Sequence, residues 1–420
     1  MVGRASRSLD RFKHNLRVVF RGEYGDRRLN FPLMKGAGSE VERFNSLILR
    51  GGNGDSWINP GVIHRAQYIR DQWHRDMQRA TGQPNQPQIY AHLYINGLYW
   101  GFYHVFDRME DDFVAEHFGG QEEDYDVVKD AGTNSIMEVV DGDLDAWNAL
   151  LAASAQDLSQ PANYEAIQEY LNLDWFIDYL LINFYSGNND WDQSNWRAAR
   201  RREPGAPWML FSWDSERTDL NATGVANGAL TGPNDRDVTT KNNLNFPTSI
   251  HQRLTAGSAE YRLRFADRTR KHFFNGGVLT PAGAAALYNA RATEIYDALI
   301  AEACRWGDRH SEPPMTREFR WQEMLDMMND DFFPFRTDIV LAQLRARGLY
   351  PAIDAPDFAQ HGGNVATGFP LTMGAAGGGT IYYTLDGSDP REEGTGAILG
   401  SEYTGPLALQ ATGTVKARAF

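Results

Sequence analysis

Apolar and polar positions alternate along residues 15–25 (NLRVVFRGEYG) and 44–52 (FNSLILRGG), which predicts two strands, each closed by glycine. Over residues 64–82 (HRAQYIRDQWHRDMQRATG) the spacing shifts to three and four, which predicts a helix with a glycine stop. The clearest pattern is PQIYAHLYINGLYWGFYHVFDRME, residues 87–110. Its two alternating apolar runs meet at Asn96-Gly97, the pair favoured in type I′ turns, so a β-hairpin is expected. A helix over Arg108–Phe118 and a short strand over Tyr125–Asp130 follow. Helical spacing then covers Ala146–Gln156 and Asn163–Gly187, and a second hairpin pattern covers Asn195–Asp214. The polar, Gly- and Asn-rich stretch Asp219–Asn245 has no period, and loops of that length in compact domains are usually functional or mobile. Helices return over Glu260–Phe274, Ala282–Arg305 and Thr316–Ala346.

Prolines mark a break at Tyr350–Gly363, after which short strand patterns alternate with Gly- and Thr-rich turns. The expected organisation is therefore α+β: a mixed domain over residues 1–350, a linker over 351–363, and a small all-β sandwich module over 364–420. Both ends read as cut, so a piece of a larger protein with an incomplete β module is expected. The 42% hydrophobic and 12% aromatic content fits a folded chain rather than a disordered one. A net charge of −14 argues against a nucleic-acid binder, which would carry a basic face. The single cysteine, Cys304, excludes an internal disulfide and a cysteine-based zinc site, and is expected as a small buried residue on a helix. No signal peptide is visible, and the most apolar helix pattern, Trp175–Tyr185, is too short to span a bilayer and carries Asp178 and Asn183.

Candidate chemistry concentrates in GNNDWDQSNWRAARRREPGAPWMLFSWDSER, residues 187–217. Asp190 precedes Asn195 by five positions, and an apolar run ends at Asp214 and Glu216. Phosphoryl-transfer enzymes of the protein-kinase type place a base, a metal-binding Asn and a metal-binding Asp in that order. The residue types follow from the chemistry: phosphate charge calls for a metal, the metal calls for oxygen ligands, and the attacking hydroxyl calls for a nearby base. Asp beside Asn and Gly more commonly shapes a turn, so context must lift the pattern above that reading. Lys13 and Lys129 compete for a phosphate-contacting role, and Arg17 and Arg50 on strand patterns could share it. No GxGxxG or Walker A pattern is present, so a nucleotide would not be cradled in the usual way. His64, His74 and His104 lack metal-ligand spacing and read as structural.

Several blocks taken together resemble the CotH kinase family, the spore-coat-protein-H-like atypical protein kinases. They are KHNLRVVFRGEYG, YIRDQW, YINGLYWGFYHVFDRMEDDF, GGQEEDYDVVK, NNDWDQSNW and LFSWDSE, in the family's order over roughly residues 11–217. The resemblance implies a secreted or surface-associated bacterial kinase that uses ATP and Mg²⁺ (or Mn²⁺) to phosphorylate Ser or Thr of proteins. It implies Asp190 as the catalytic Asp, Asn195 and Asp214 as metal ligands, Glu216 as a second acid that either joins the metal or pairs with Arg217 or Arg200, and Lys13 as the early lysine that meets phosphate. Asp107 stands where the family usually has Glu, one methylene shorter, which disturbs an ion pair between that acid and a strand lysine. The tail GTIYYTLDGSDPREEGTG…SEYTGPLALQATGTVKARAF resembles the chitobiase C-terminal β module and implies cell-surface or carbohydrate association. Two further readings stay open: a kinase fold that transfers AMP or joins glutamate, and an inactive kinase-like surface scaffold.

Overall fold

The computed structural model describes residues 2–4, 12–52, 54–132, 136–218 and 236–420; most of the long polar stretch expected over Asp219–Asn245, residues 219–235, lies outside them. The chain opens with strands β1 (Val2–Arg4) and β2 (Leu16–Val19). A two-stranded ribbon, β3 (Leu29–Asn30) with β4 (Arg43–Phe44), leads to β5 (Ser46–Arg50). Helix α1 (Arg70–Ala80) and the long hairpin β6 (Gln88–Ile95) and β7 (Leu98–Asp107) complete the first layer. Its sheet is antiparallel, in the order β1-β2-β5-β7-β6. The expected hairpin turn forms at Asn96 and Gly97, whose φ values of 52° and 81° are the two positive angles that a type I′ turn requires.

Helix α2 (Asp111–Phe118) then leads to a second antiparallel sheet. It contains β8 (Tyr125–Asp130), β9 (Met137–Asp141) and, after helices α3 (Asp145–Ser154), α4 (Pro161–Ile167) and α5 (Leu173–Ser186), the hairpin β10 (Trp196–Arg201) and β11 (Met209–Ser212). The strand order is β11-β10-β8-β9. The single helix expected over Asn163–Gly187 is broken because the Tyr170 carbonyl accepts the Trp208 N–H at 2.8 Å, and the Asn172 side chain caps α5 by accepting the Trp175 N–H. Helix α5 is apolar on nearly all sides and buried from Phe176 to Ser186, which makes it the axis of the helical half. Around it lie α6 (Pro247–Gly257), α7 (Ala259–Phe273), α8 (Pro281–Ile295), α9 (Ala298–Trp306), α10 (Trp321–Met327) and α11 (Phe333–Ala346). Pro334 lacks the N–H of a regular α-helical turn, and the one long helix expected there runs on from α10 to α11 through a π-helical turn, Met328–Phe332. Cys304 lies on α9 but is exposed rather than buried.

Beyond residue 350 the chain forms several small sheets, the largest pairing Ile381–Thr384 with Ser401–Glu402 and Lys416–Ala419. Helix α7 holds this module through two bidentate arginine clamps. Arg391 donates to Glu260 at 2.9 and 2.6 Å, and Arg418 donates to Asp267 at 2.9 and 2.6 Å. The Arg391 hydrogen bond holds the Glu260 carboxyl below its ordinary range. That contribution is therefore present at neutral pH and is lost as pH falls through the lowered value. Changing Arg391 and Arg418 together to alanine is expected to raise the rate of limited proteolysis at residues 351–363 by about tenfold, roughly the loss of one to two exposed charge pairs. Acidification should do the same to the unmodified protein. Equal cleavage rates at neutral pH would show that the clamps do not hold the module.

Candidate functional site

The site is built where two loops meet. Helix α5 ends at Gly187, whose φ of 60° turns the chain out of the helix. The following loop is pinned from below by alternate residues. Trp191 donates its indole N–H to the Tyr179 hydroxyl at 2.7 Å. Asp192 is fully buried and accepts from the Thr248 N–H at 2.7 Å, the Thr248 hydroxyl at 3.0 Å and the Asn243 amide. Burial pushes the Asp192 carboxyl upward, against these donors. Asp190, one position from the buried Trp191, faces outward with a side chain 35% exposed. Among the described residues its carboxylate meets Arg217 at 3.5 Å and Gln193 at 3.4 Å. The loop ends at Asn195, which adopts a φ of 68° and donates its amide to the Asp190 carbonyl at 3.0 Å. That bond directs the amide nitrogen inward and leaves the amide oxygen as an acceptor.

The β10–β11 hairpin carries the second loop to the same place. Trp196 opposes Ser212, so Asn195 and the Trp213-Asp214 pair sit at one end of the hairpin. Asp214 has a φ of 54°, a left-handed conformation that Asp and Asn tolerate better than other side chains. The loops are tied by Asn188, which donates to the Ser215 hydroxyl at 3.5 Å, and by the Asn189 N–H to the Arg217 carbonyl at 3.5 Å. Asp190, Asn195, Asp214 and Glu216 are thus brought to one region.

The cation that faces Asp214 and Glu216 is Arg50, the last residue of β5. Its Nη2 bonds Asp214, its Nε donates to Glu216 at 2.8 Å, and its Nη1 stands 3.9 Å from Asp71. Burial opposes the guanidinium charge, but Asp214, Glu216 and Asp71 outweigh it, and Arg50 stays firmly protonated. Glu216 also accepts the Gly54 N–H at 2.6 Å, and burial pushes its carboxyl upward despite Arg50. Asp71, in the first turn of α1, accepts from Arg75 at 2.6 Å and from the Ser215 N–H at 2.8 Å. Burial opposes its charge, but Arg75 and Arg50 bring its pKa down to about 2. Helix α1 is polar yet buried from Arg70 to Gln78, because it lies between the sheets and bonds both. Its Gln78 pairs with β11 through the Leu210 carbonyl at 2.6 Å and the Ser212 N–H at 3.0 Å, while Arg75 bonds Gln88 of β6 at 2.7 Å.

The other named residues lie elsewhere. Lys13 has no exposed side-chain surface; its ammonium pairs with Glu302 of α9 at 2.6 Å and lies over the Tyr68 and Tyr103 rings. As placed, it faces protein on all sides and has no face for a phosphate. Lys129 sits on β8 with 27% of its side chain exposed and pairs with Glu138 at 2.9 Å. Asp107 ends β7 with its carboxyl buried and one oxygen without a hydrogen-bond partner among the described residues; burial, then Asp112, push it well above the carboxylate range. The fully buried lysine–acid pair among the described residues is therefore Lys13–Glu302, and none of their lysines pairs with Asp107. Arg17 pairs with Glu110 at 2.6 Å. Residue-level reading passed over Asp71, Asp192 and Lys241; Lys241 donates to the Asn189 carbonyl at 3.0 Å and to Gln193 at 2.9 Å. An acid in the first turn of the helix after a central strand is the order in which kinase folds place an ion-pair partner, and that signal could have found Asp71.

Among the described residues no group of three His, Cys, Asp or Glu side chains is arranged to hold a metal. The donors present are hard oxygens, the Asp214 carboxylate and the Asn195 amide, and they fit Mg²⁺, which takes one or two protein carboxylates and completes its shell with water and substrate phosphate. A cleft of about 950 Å³ near Arg43, Arg79, Glu116 and Trp175 contains none of these residues. A family model described as CotH kinase protein matches residues 20–331, and one described as Fn3 associated matches residues 371–420. No curated protein matches the chain.

Proposed function

The chain belongs to the CotH kinase protein family, which implies an atypical protein-kinase fold, and from that premise we propose that it transfers the γ-phosphate of ATP to a Ser or Thr hydroxyl of a protein. The observation that carries the reading is the meeting of Asp190, Asn195 and Asp214 at one end of the β10–β11 hairpin. Asp214 and the Asn195 amide oxygen would hold Mg²⁺, which supplies neutralisation of phosphate charge. Asp190 is the base: its carboxylate faces solvent, its two contacts are long, and Trp191 and Asp192 fix the backbone beneath it. It orients the acceptor hydroxyl and takes its proton as the new O–P bond forms and the bond from Pγ to the β,γ-bridging oxygen breaks, releasing ADP. Arg217, 3.5 Å away, is exposed enough to give way to a substrate. A bacterial surface location and a protein acceptor are part of the same proposal, and they rest on the family.

The test is incubation with Mg²⁺ or Mn²⁺ and ATP labelled at the α or the γ position, with a generic acceptor protein. Label from the γ position is expected, and Asp190→Ala should lower its transfer by about 10²–10⁴-fold while nucleotide still binds. Label from the α position would replace phosphorylation by nucleotide transfer. No label and no nucleotide binding would favour a surface scaffold.

A further inference from the structure

We infer that Arg50 is the phosphate-contacting cation of this site, and that it occupies the metal-binding carboxylate Asp214 until a metal–nucleotide complex takes its place; the inference rests on the phosphotransfer reading above. Arg50 ends the central strand β5, and its side chain is only 9% exposed. One guanidinium bridges three elements: its own strand, α1 through Asp71, and the Asp214–Glu216 segment. In protein kinases a lysine on a central strand pairs with an acid on the next helix and reaches the phosphates. Here β5 supplies Arg50, and the helix that follows it, α1, supplies Asp71. Lys13 cannot share the task, because Glu302, Tyr68 and Tyr103 enclose it.

Among the described residues Arg50 and Arg75 face three acid side chains, Asp71, Asp214 and Glu216. The two acids on Arg50 differ in how firmly they are held. Glu216 is 8% exposed and also anchored by the Gly54 N–H, whereas Asp214 is 37% exposed. Asp214 is thus the partner that exchanges. When it leaves the guanidinium for a divalent cation, Glu216 still fixes Arg50 through Nε at 2.8 Å and Nη2 at 2.6 Å, and the Nη2 N–H that Asp214 held becomes free to donate to a phosphate oxygen. The same arginine therefore weakens binding of bare metal and strengthens binding of metal with nucleotide.

The experiment titrates Mn²⁺ by electron paramagnetic resonance, without nucleotide and with ATP, into the wild type, Arg50→Ala and Arg50→Lys. Circular dichroism checks each fold. Arg50→Ala should bind Mn²⁺ alone roughly tenfold more tightly and ATP at saturating Mn²⁺ roughly tenfold or more weakly, each the size of one charge-assisted hydrogen bond. Arg50→Lys keeps the buried charge and so the fold; lacking the fork, it should move both affinities in the same directions by less. Either folded variant with unchanged Mn²⁺ affinity, or with unchanged ATP affinity, overturns the inference. A wild type that binds neither Mn²⁺ nor ATP overturns the phosphotransfer reading, and this inference with it.

Discussion

Glu302→Ala is expected to cost about 3–5 kcal/mol of folding stability, the range for breaking a buried ion pair by removing one partner. Glu302 satisfies three donors at once. One carboxylate oxygen accepts from Lys13 at 2.6 Å and from the Tyr68 hydroxyl at 3.2 Å; the other accepts the Phe102 N–H at 2.7 Å. Neither Lys13 nor Glu302 exposes any side-chain surface. Alanine would orphan an ammonium and a backbone N–H in a dry environment, and each carries its own desolvation penalty. Burial already drives the Lys13 pKa down, and Glu302 is the group that opposes it. Gly101 shows how tightly the pair is packed: its φ is 150°, and a methyl group there would come within 2.8 Å of the Lys13 chain and 2.9 Å of the Trp306 indole. The double change Lys13→Met with Glu302→Leu removes both charges and should recover most of the loss, since well-packed apolar pairs often replace buried ion pairs at little cost. Urea unfolding followed by tryptophan fluorescence measures all three proteins. A loss below about 1 kcal/mol for Glu302→Ala would mean the pair is solvated in a way its burial does not show.

Lys13 also illustrates where sequence reading stops. A lysine on a strand-like segment looks the same whether it meets a phosphate or a carboxylate. The partner that decides the matter is 289 residues away on α9. Arg50 was visible as a strand arginine, but its three acids come from α1 and from the loop after β11, which only the tertiary fold assembles. Features set by local geometry were legible. Asn96-Gly97 specified its turn because both residues must take positive φ, and the five-residue step from Asp190 to Asn195 marked a loop that closes on itself through one hydrogen bond. Helix α1 was legible as a helix but not as a buried one. Its Asp71, Gln72, His74 and Arg75 are polar, yet all four are enclosed because the helix lies between two sheets and bonds both. Strand β9 escaped notice because it is short and has charged residues at Glu138 and Asp141, a pattern that suits a solvated edge better than a core strand.

Asp214→Asn is expected to lower phosphoryl transfer by about a thousandfold or more while the protein stays folded, because the lost interaction is the charge that holds the metal at the reacting phosphate. Asparagine preserves the shape of the side chain and an oxygen for Arg50. It also tolerates the left-handed backbone at this position, where φ is 54°. The side chain is 37% exposed, so no buried cavity is created, and the stability change should remain within about 1 kcal/mol. Asp214→Ala keeps neither the oxygen nor the tolerance for positive φ; it should lose the same activity and more stability. The contrast with Asp190 separates the two roles. Removing the base should leave metal-dependent ATP affinity in place, whereas removing the metal ligand should abolish it, and the two changes together should lower transfer little further than Asp214→Asn alone, since groups that act on one transition state are not additive. Calorimetric titration of ATP with and without Mg²⁺, beside a thermal melt of each variant, reads these effects. Metal-dependent binding that survives in a folded Asp214→Asn protein would move the metal onto another acid of the cluster, and Glu216, held by Arg50 and the Gly54 N–H, is the one within reach.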